Sequence, residues 1–330
     1  MTTRLMMRAL RVAQFGGPEV LKVEANIQMP VPSSSQVLVE VKAAGLNPVD
    51  TYIRTGTYAV KPTLPYIPGS DAAGIVKEVG DQVTKFKPGD RVFVLKAVTG
   101  GCAEFTLGEE SFVGYLPETL SFQQGAGIGI PYFTAYRALC IKGRDKVKSS
   151  NTVLIHGASG AVGLACVQIA VSKGMKVIGT AGSPEGLELV RKEGATSVFN
   201  HREKGYMEKI LESTGGNGPD LIIEMLANVN LDADMQIVNK YGIIVIVGNR
   251  GQIEVNPRLL MGKDSTVTGM ILMNATQEEW SEMHSGITDG LKAGWIKPTI
   301  CTEYDLNNAP KAHEEIINNS GALGKRVFVI

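Results

Sequence analysis

Apolar and polar residues alternate along short stretches of the first 125 residues, for example in QVLVEVKAAG at 36–45 and in DRVFVLKA at 90–97. A period of two residues is typical of β-strands that bury one face. Glycine and proline separate these stretches and interrupt any longer helical pattern. We therefore predict that residues 1–125 form a domain of short β-strands.

From residue 126 the pattern changes to short apolar runs separated by amphipathic stretches. Six runs have the length and composition of buried strands: NTVLIHG, KVIGTAG, TSVFNH, DLIIEML, GIIVIVG and STVTGMIL. The stretches between them are typical of helices, and GLELVRKEG ends in Gly194, a residue type that commonly terminates a helix. Strands that alternate with helices predict a parallel sheet covered on both faces. We expect an α/β, doubly wound domain over residues 126–272.

The remaining segment, residues 273–330, carries one more helical pattern and one more strand. The helix is predicted in TQEEWSEMHSGITDGLKAG and the strand in KRVFVI. We expect the whole segment to return to the first domain and to complete it.

Composition narrows the class of protein. The 330 residues are 44% hydrophobic, and no apolar run is long enough to span a membrane. Thirty-three basic and thirty-three acidic residues give a formal net charge of zero, so no overall field attracts nucleic acid. The four cysteines are scattered, which favours a reducing compartment, and MTTRLMMRAL lacks the pattern of a signal peptide. We expect a cytoplasmic protein that does not bind membranes.

One turn between a predicted strand and a predicted helix resembles a nucleotide-binding loop. In LIHGASGAVGLACVQIA, residues 154–170, a G-x-G-x-x-G pattern is met at Gly160 and Gly163, but Ala158 occupies the first glycine position. A strand–turn–helix unit directs free backbone N–H groups and the positive end of the helix dipole toward a bound phosphate. A slightly wider turn would accommodate the methyl group of Ala158. The loop therefore predicts a dinucleotide site, and a simple tight entry into a helix is the alternative.

The end of the second strand of this domain indicates which dinucleotide is bound. An NAD site places an acidic residue about 20 residues beyond the loop, where it binds the ribose hydroxyls. The chain has GTAGSPEG at 179–186, with no acidic residue at the end of the strand, and NHRE at 200–203 brings His201 and Arg202 to the same edge. This pattern favours the 2′-phosphate of NADP(H). Two alternatives stay open: His201 caps an element or lies in the core, or Glu185 reaches back to the ribose.

These motifs, taken with segments spread along the whole chain, resemble the zeta-crystallin type quinone oxidoreductases, a zinc-free branch of the medium-chain dehydrogenase/reductase superfamily. The matching segments are FGGPEVL, GLNPVDTYIRTGTY, LPYIPGSDAAGIV, GDRVF, GIPYFTAYRAL, HGASGAVGLACVQIA, GTAGSPEG, VFNHRE, IIEMLANVNL and IVGNRG. Two positions depart from the usual family pattern. Gly160-Ala161 stands where a glycine pair is usual, and Val171 stands where a basic residue is common.

The resemblance implies a GroES-like catalytic domain, a Rossmann domain that binds NADPH, and a homotetramer. It implies reduction of small-molecule quinones, in particular ortho-quinones, by one-electron transfer to the semiquinone. Together with the glycine pattern, it gives these cofactor-binding residues: Tyr52, Ser159, Gly160, Ala161, Val162, Gly163, Gly182, Ser183, His201, Asn230, Val247, Gly248, Asn249, Arg250, Met270, Ile271 and Leu272. Those after the fourth, fifth and sixth strands fall on the carboxyl edge of the sheet, where open α/β sheets bind ligands.

The sequence predicts a protein without a metal. Where the zinc alcohol dehydrogenases of this superfamily carry Gly-His-Glu, the chain reads PGSD at 68–71, and the lobe with four clustered cysteines is missing. The four histidines are too dispersed to form an obvious site with the cysteines. Alcohol oxidation, which requires a Lewis acid to stabilise an alkoxide, is therefore disfavoured.

Three polar residues in GLNPVDTYIRTGTY are the candidates for contact with the substrate: Asn47, Tyr52 and Tyr58. Amide and phenol donors can hold a quinone oxygen as charge develops on it. The alternative is structural, because Asn47 precedes Pro48 and can set a turn, and either tyrosine can fill the core. Two other functions stay open. One is reduction of the double bond of enones or alkenals. The other, implied by the family resemblance alone, is binding of AU-rich single-stranded RNA or a structural role as a lens crystallin.

Overall fold

The computed structural model describes residues 5–318 and 321–330. Contacts divide these residues into two units. The first unit contains residues 5–130, 297–318 and 325–330, and the second contains residues 131–296 and 321–324. Among the described residues, no helix combines the length and the apolar character that crossing a membrane requires.

Residues 5–318 and 321–330 form fifteen strands and ten α-helices, numbered in chain order. The strands are β1 Met6–Val12, β2 Leu21–Gln28, β3 Gln36–Leu46, β4 Asp71–Val79, β5 Arg91–Leu95, β6 Phe105–Glu109, β7 Val113–Tyr115, β8 Thr152–Ile155, β9 Lys176–Ala181, β10 Ser197–Asn200, β11 Leu221–Glu224, β12 Ile243–Ile246, β13 Thr266–Gly269, β14 Ile300–Asp305 and β15 Lys325–Val329. The helices are α1 Pro48–Arg54, α2 Phe122–Gly125, α3 Gly129–Tyr136, α4 Ala161–Ser172, α5 Pro184–Lys192, α6 Tyr206–Ser213, α7 Ala227–Ile237, α8 Arg258–Met261, α9 Gln277–Ala293 and α10 Ala309–Asn318.

The first unit contains a seven-stranded sheet and a two-stranded sheet. Strands β14, β15, β3, β4, β5 and β7 are neighbours in that order, β6 also pairs with β3, and β1 pairs with β2. The alternation in the sequence has the expected effect on β3, where Val37, Val39 and Val41 pack in one buried cluster with Val76 of β4. A side-chain period of two places these valines on one face of the strand. This unit is the β-rich domain predicted from the sequence.

The second unit contains a six-stranded parallel sheet. Its strand order is β10-β9-β8-β11-β12-β13, and the six strands are those predicted from the six apolar runs. Numbered from β8 as the first strand, this is the 3-2-1-4-5-6 order of dinucleotide-binding folds. The central strands β8 and β11 are buried apart from Thr152 at the start of β8, which explains their largely apolar sequences. The fold class predicted from the sequence is confirmed.

The division differs from the expected one at residue 273. Helix α9 belongs to the second unit, because Arg137 forms a 2.7 Å ion pair with Glu279 and Trp280 packs near Phe133. After the second unit, the chain returns to the first unit at Lys297, and β15, which begins at Lys325, pairs with β3. The sequence pattern of α9 shows a helix with one apolar face, and such a pattern does not specify which unit that face packs against.

Candidate active site

The turn between β8 and α4 is held by the neighbouring strand. The backbone N–H of Gly157 donates to Thr180 Oγ1 over 3.1 Å, and the N–H of Ala158 donates to the Thr180 carbonyl over 2.7 Å. Gly157 adopts a φ of +56°, a left-handed conformation that favours glycine. Helix α4 begins after Gly160, its N-cap residue. The turn is therefore built before any ligand binds, and its first-turn N–H groups lack intrahelical partners.

The alanine in the first glycine position is accommodated differently from the expectation. Its side chain is fully buried, and the left-handed conformation belongs to the preceding residue, Gly157. The turn therefore takes its left-handed conformation at Gly157 and requires none at Ala158. The structure thus explains why Ala158 is compatible with this turn.

Gly160 and Gly163 have different reasons to be glycine. A Cβ atom at Gly163 would lie 2.4 Å from the Gly157 carbonyl oxygen, so the close packing of helix and turn requires glycine there. A Cβ atom at Gly160 would make only ordinary contacts, at 3.4 Å from the Gly157 carbonyl oxygen and 3.8 Å from Ala322 Cβ. Packing within the protein therefore does not demand glycine at 160. A ligand that approaches the backbone closely would demand it.

Residues 321–324 lie beside this turn, and no pattern in the sequence predicts that contact. The N–H of Gly324 donates to the Ser159 carbonyl over 2.7 Å, and Gly160 and Gly324 form an isolated parallel bridge. Ser159 is buried, whereas Ala161 and Val162 are partly exposed. The signal that was available is the small-residue sequence GALG at 321–324, just before the final strand.

The end of β9 brings together the groups predicted to select NADP(H). A Cβ atom at Gly182 would lie 2.7 Å from His201 Nε2 and 3.0 Å from Arg202 Nε. The N–H of His201 donates to the Ala181 carbonyl over 3.1 Å, which holds both side chains at this edge. Partial burial, followed by the charges of His156 and Arg202, lowers the pKa of His201. At neutral pH the charge at this edge therefore comes mainly from Arg202.

Two further residues at this edge have local structural partners. Ser183 is the N-cap of α5, and its hydroxyl oxygen accepts a hydrogen bond from the N–H of Gly186 over 3.1 Å. Glu185, the alternative ribose ligand, lies exposed in the first turn of α5. A carboxylate in the first turn is favoured by the helix dipole without any ligand.

The carboxyl ends of β11, β12 and β13 carry the remaining predicted cofactor residues. Asn230 lies on α7 and its side chain is held by Glu224 Oε1, at 3.3 Å, and by the Tyr206 hydroxyl, at 3.5 Å. Val247 and Gly248 both donate from their N–H groups to the Glu224 carbonyl. The structure therefore brings Asn230 and the segment after β12 to one residue, Glu224.

The other residues of this group lie beyond those strand ends. Asn249 and Arg250 are exposed, and the N–H of Arg250 donates to Asn228 Oδ1 over 2.9 Å. After β13, Met270 is partly exposed, Ile271 is half exposed and Leu272 is buried. Their common position on the carboxyl edge agrees with the prediction, and their contact with a cofactor remains a prediction.

A buried cluster of ionisable groups lies directly beneath these segments. His156 Nε2 is 2.8 Å from Asp234 Oδ1 and 3.7 Å from Glu224 Oε2, and all three residues are at most 2% exposed. His156 follows β8, Glu224 ends β11, and Asp234 lies on α7. The sequence analysis did not identify this cluster. The available signal was a histidine and a glutamate at the ends of two otherwise apolar strands.

In the first unit, Asn47 has a structural role. It is the N-cap of α1, and its N–H donates to Asp50 Oδ2 over 2.8 Å. Its amide group donates to Asp71 Oδ2 over 2.9 Å, and its Oδ1 accepts from Lys325 Nζ over 2.6 Å. The side chain is buried, which favours the alternative of a residue that sets the helix entry, and its contact with a substrate stays a prediction.

Tyr52 and Tyr58 lie close together at the end of α1. The N–H of Tyr58 donates to the Tyr52 carbonyl over 3.1 Å, and both tyrosines are partly exposed. Partial exposure leaves each phenol accessible, so the structure keeps both as candidates for substrate contact. Their roles remain predictions.

The PGSD segment does not fit a divalent cation. Asp71 Oδ2 accepts from Lys325 Nζ over 3.1 Å, and Asp71 Oδ1 accepts from the N–H of Ile130 over 2.8 Å. Asp71 and Lys325 are both buried, so an ammonium group already compensates the carboxylate. A metal ion at this place would face that ammonium at close range.

Comparison with known proteins defines the class first. A family profile described as "Alcohol dehydrogenase GroES-like domain" matches residues 33–147, and one described as "Zinc-binding dehydrogenase" matches residues 161–289. With the sheet order above, these matches define a protein of the medium-chain dehydrogenase/reductase superfamily. The chain is 51% identical to a quinone oxidoreductase of Rattus norvegicus and 50% identical to one of Homo sapiens, over 100% of this chain and 99% of each relative. The chain belongs to the quinone oxidoreductase family.

A solved structure supports the same relationship. The chain resembles an Escherichia coli quinone oxidoreductase complexed with NADPH, with a TM-score of 0.85 and 31% identity, covering 98% of this chain and 100% of that one. The family membership predicted from the sequence motifs is therefore confirmed.

Proposed function

We propose that the protein is an NADPH-dependent quinone reductase. The observation that carries the choice of cofactor is the end of β9, where Gly182 packs against His201 and Arg202 and no carboxylate stands at the strand end. The choice of acceptor is supported by the activity named for the relatives in rat and human. Quinone oxidoreductase is the name of those relatives and NADPH is the ligand named for the Escherichia coli structure, and we extend both to this chain.

The second unit has the features that bind a dinucleotide phosphate. The first-turn N–H groups of α4 and its dipole attract the pyrophosphate, and Gly160 lets it approach the backbone. Arg202 provides a positive charge for the 2′-phosphate, and His201 provides a ring N–H donor beside it. When bound, NADPH supplies the reducing equivalents of the reaction.

We propose ortho-quinones as acceptors and one-electron reduction as the outcome. In that stoichiometry one NADPH reduces two quinone molecules and releases one proton, so its two electrons are fully accounted for. A quinone requires little acid catalysis because the charge on the product is delocalised, and orientation supplies much of the rate. The partly exposed Tyr52 and Tyr58 are proposed as the phenols that contact the acceptor.

An acceptor panel tests this proposal. NADPH oxidation is followed with ortho-quinones, enones and alkenals at matched concentrations, and one-electron products are detected by spin resonance. We expect the quinones to react fastest and to give a radical signal. Faster oxidation with an enone or an alkenal would assign the protein to double-bond reduction instead.

We propose that the reaction does not depend on zinc. The pairing of Asp71 with Lys325 supports this, because it places an ammonium group in the PGSD segment. Activity should persist after dialysis against a chelator, and elemental analysis should find less than one zinc per chain. Loss of activity that is restored by zinc would overturn this part of the proposal.

The family resemblance adds proposals on assembly and location: a homotetramer, a cytoplasmic location and a secondary affinity for AU-rich RNA. Light scattering of the purified protein tests the first, with four times the chain mass expected. Fluorescence microscopy of the tagged protein and filter binding of an AU-rich RNA against a GC-rich RNA test the others. Equal binding of the two RNAs would remove the third proposal.

A further inference from the structure

The cluster of His156, Glu224 and Asp234 contains more acid than base. One basic side chain faces two carboxyl groups, and one ligand atom from each residue lies within 4.8 Å of the other two. Glu224 and Asp234 are 0% exposed. Two buried carboxylates beside a single imidazolium would leave an uncompensated negative charge, which is costly in the interior.

The hydrogen bonds of the cluster show where a proton is needed. Asp234 Oδ1 pairs with His156 Nε2, and Glu224 Oε1 accepts from the N–H of Leu226 and from Asn230 Nδ2. Glu224 Oε2 and Asp234 Oδ2 are buried without a hydrogen-bond partner among the described residues. The side chains of Glu224 and Asp234 are placed to form a hydrogen bond with each other, and two carboxyl groups can do so only when one of them carries a proton.

We propose that Glu224 retains a proton, shares it with Asp234, and thereby acts as a positioning residue for the NADPH-binding edge of the second unit. This inference rests on the function proposed above and adds a control by pH. It assigns Glu224 no contact with the cofactor.

The cluster is connected to three of the segments that are proposed to hold the cofactor. Thr180 Oγ1 lies 3.4 Å from His156 Nδ1 and accepts from the N–H of Gly157, so it links the cluster to the glycine turn. Glu224 Oε1 holds Asn230, and the Glu224 carbonyl accepts from Val247 and Gly248. Ionisation of Glu224 would leave its carboxylate beside that of Asp234, and the repulsion would act on the side chain that holds Asn230.

Other ionisable groups near the cluster come from two neighbouring elements. Tyr206 of α6 has its pKa raised to about 12, by burial and then by Asp234 and Glu224, so it stays neutral. His201 and Arg202 follow β10, and the charge of His156 contributes to the lowered pKa of His201. Burial opposes protonation of His156, but Asp234 and Glu224 outweigh it and raise the pKa of His156.

The ionisation of Glu224 falls within the range of a binding experiment. Burial raises its pKa to about 7, the charge of His156 opposes this, and Asp234 adds to it. NADPH affinity should therefore weaken as the pH rises through about 7. Between about pH 5.5 and about pH 9 we expect a change of about tenfold that depends on Glu224, within the range usual for coupled sites.

The experiment compares the dissociation constant of NADPH across this pH range for three proteins. They are the unmodified protein, Glu224→Gln, and Glu212→Gln, the last a matched change at an exposed position on α6. Glutamine resembles protonated glutamate in shape and carries its own donor toward Asp234. Titration of the cofactor phosphate, of His201 and of Asp50, whose pKa burial raises to about 7, is common to all three. The ratio of each variant's dissociation constant to that of the unmodified protein therefore isolates Glu224. The ratio should change about tenfold for Glu224→Gln and stay level for Glu212→Gln.

A second variant and a second measurement complete the test. Asp234→Asn provides an amide donor for Glu224, and it should also remove the pH-dependent part. Parallel profiles for the unmodified protein and Glu224→Gln would overturn the inference, as would a stoichiometric metal ion shared by the three residues. If no protein binds NADPH at any pH, the proposed function fails. Urea unfolding across the same pH range then decides: a loss of stability that depends on Glu224 supports the shared proton, and its absence overturns it.

Discussion

The two units each bury a small group of charged and polar side chains, and the two groups are balanced differently. In the first unit, Lys325 pairs with Asp71, and Asn47 bridges both, so within this pair one positive charge meets one negative charge. Asp50, which accepts from the N–H of Asn47, stands outside the pair, and burial raises its pKa to about 7. In the second unit, His156 meets both Glu224 and Asp234, and one oxygen of each carboxyl has no partner among the described residues. The Asp71–Lys325 pair is complete without a further proton, whereas the group in the second unit requires one.

The difference shows what decides whether a buried cluster responds to pH. Equal burial does not produce equal behaviour, because both groups are at most 3% exposed. The number of acids relative to bases is the relevant quantity. A matched pair acts as a fixed connection, here between β4, β15 and the start of α1, while an unmatched acid titrates near neutral pH.

Removal of the cation from the matched group should have the largest effect. Lys325→Met leaves the Asp71 carboxylate buried without its partner, and we expect a loss of about 3–5 kcal/mol in the free energy of unfolding. Urea unfolding measures it. Lys311→Met is the control, since Lys311 forms an exposed pair with Glu315 and its loss should cost less than about 1 kcal/mol. Equal losses for the two variants would show that the buried pair has no special weight.

The unmatched group should give a pH-dependent difference in stability. The raised pKa means that the folded chain holds a proton which the unfolded chain loses near its ordinary value of 4.5. Relative to Glu224→Gln, the unmodified protein should therefore lose stability as the pH rises from about 4.5 to about 7, by up to about 3 kcal/mol, and then stay level. Urea unfolding at several pH values measures the gap. A gap that grows above pH 7 instead would contradict the assignment.

The cofactor edge of the second unit offers a test that is independent of both buried groups. Arg202→Ala removes the charge expected to bind the 2′-phosphate and should weaken NADPH about 10- to 100-fold, or ~1.5–3 kcal/mol. NADH affinity should be nearly unchanged, because NADH lacks that phosphate. Fluorescence titration measures both, and Lys204→Ala is the control at an exposed basic neighbour. If Arg202→Ala weakens both cofactors equally, the selectivity comes from elsewhere.

Tyr52 in the first unit should show the smallest effect. Tyr52→Phe keeps the ring and removes the hydroxyl, so kcat/KM should fall by the worth of one hydrogen bond, ~1–2 kcal/mol. Tyr52→Ala should lower it further and should also weaken NADPH. Tyr58→Phe is the matched change on the same turn. Wild-type kinetics together with a lowered Tm in Tyr52→Ala would give Tyr52 a structural role only.

Local patterns predicted much of the fold. The six strands of the second unit are predictable because parallel strands that are buried on both faces have short, continuous apolar sequences. NTVLI, which contains β8, is an example. The glycine turn and the approach of His201 to Gly182 were predictable because their positions follow from strand order. The prediction placed α9 in the first unit, whereas it packs in the second. An amphipathic pattern identifies the apolar face of a helix but does not show which element that face packs against.

The features that could not be predicted depend on residues distant in sequence. Lys325 meets Asn47 across 278 positions and Asp234 meets His156 across 78, and no local pattern marks either pair. Asn47 itself was ambiguous, since an asparagine before a proline fits both a helix cap and a polar ligand. Only its burial and its three hydrogen-bond partners decided for the cap.

The position of Lys325 in the chain has a consequence for the order of folding during synthesis. Because the ribosome synthesises the chain from the N-terminus to the C-terminus, residues 131–296 of the second unit emerge before β14 and β15 have been made. Until then, residues 43–46 of β3 lack β15, their partner on one edge, and the Asp71 carboxylate lacks the ammonium group of Lys325. During synthesis, the first unit is therefore incomplete, because one edge of β3 is unpaired and the Asp71 carboxylate is uncompensated. Most of the second unit is by then already able to fold.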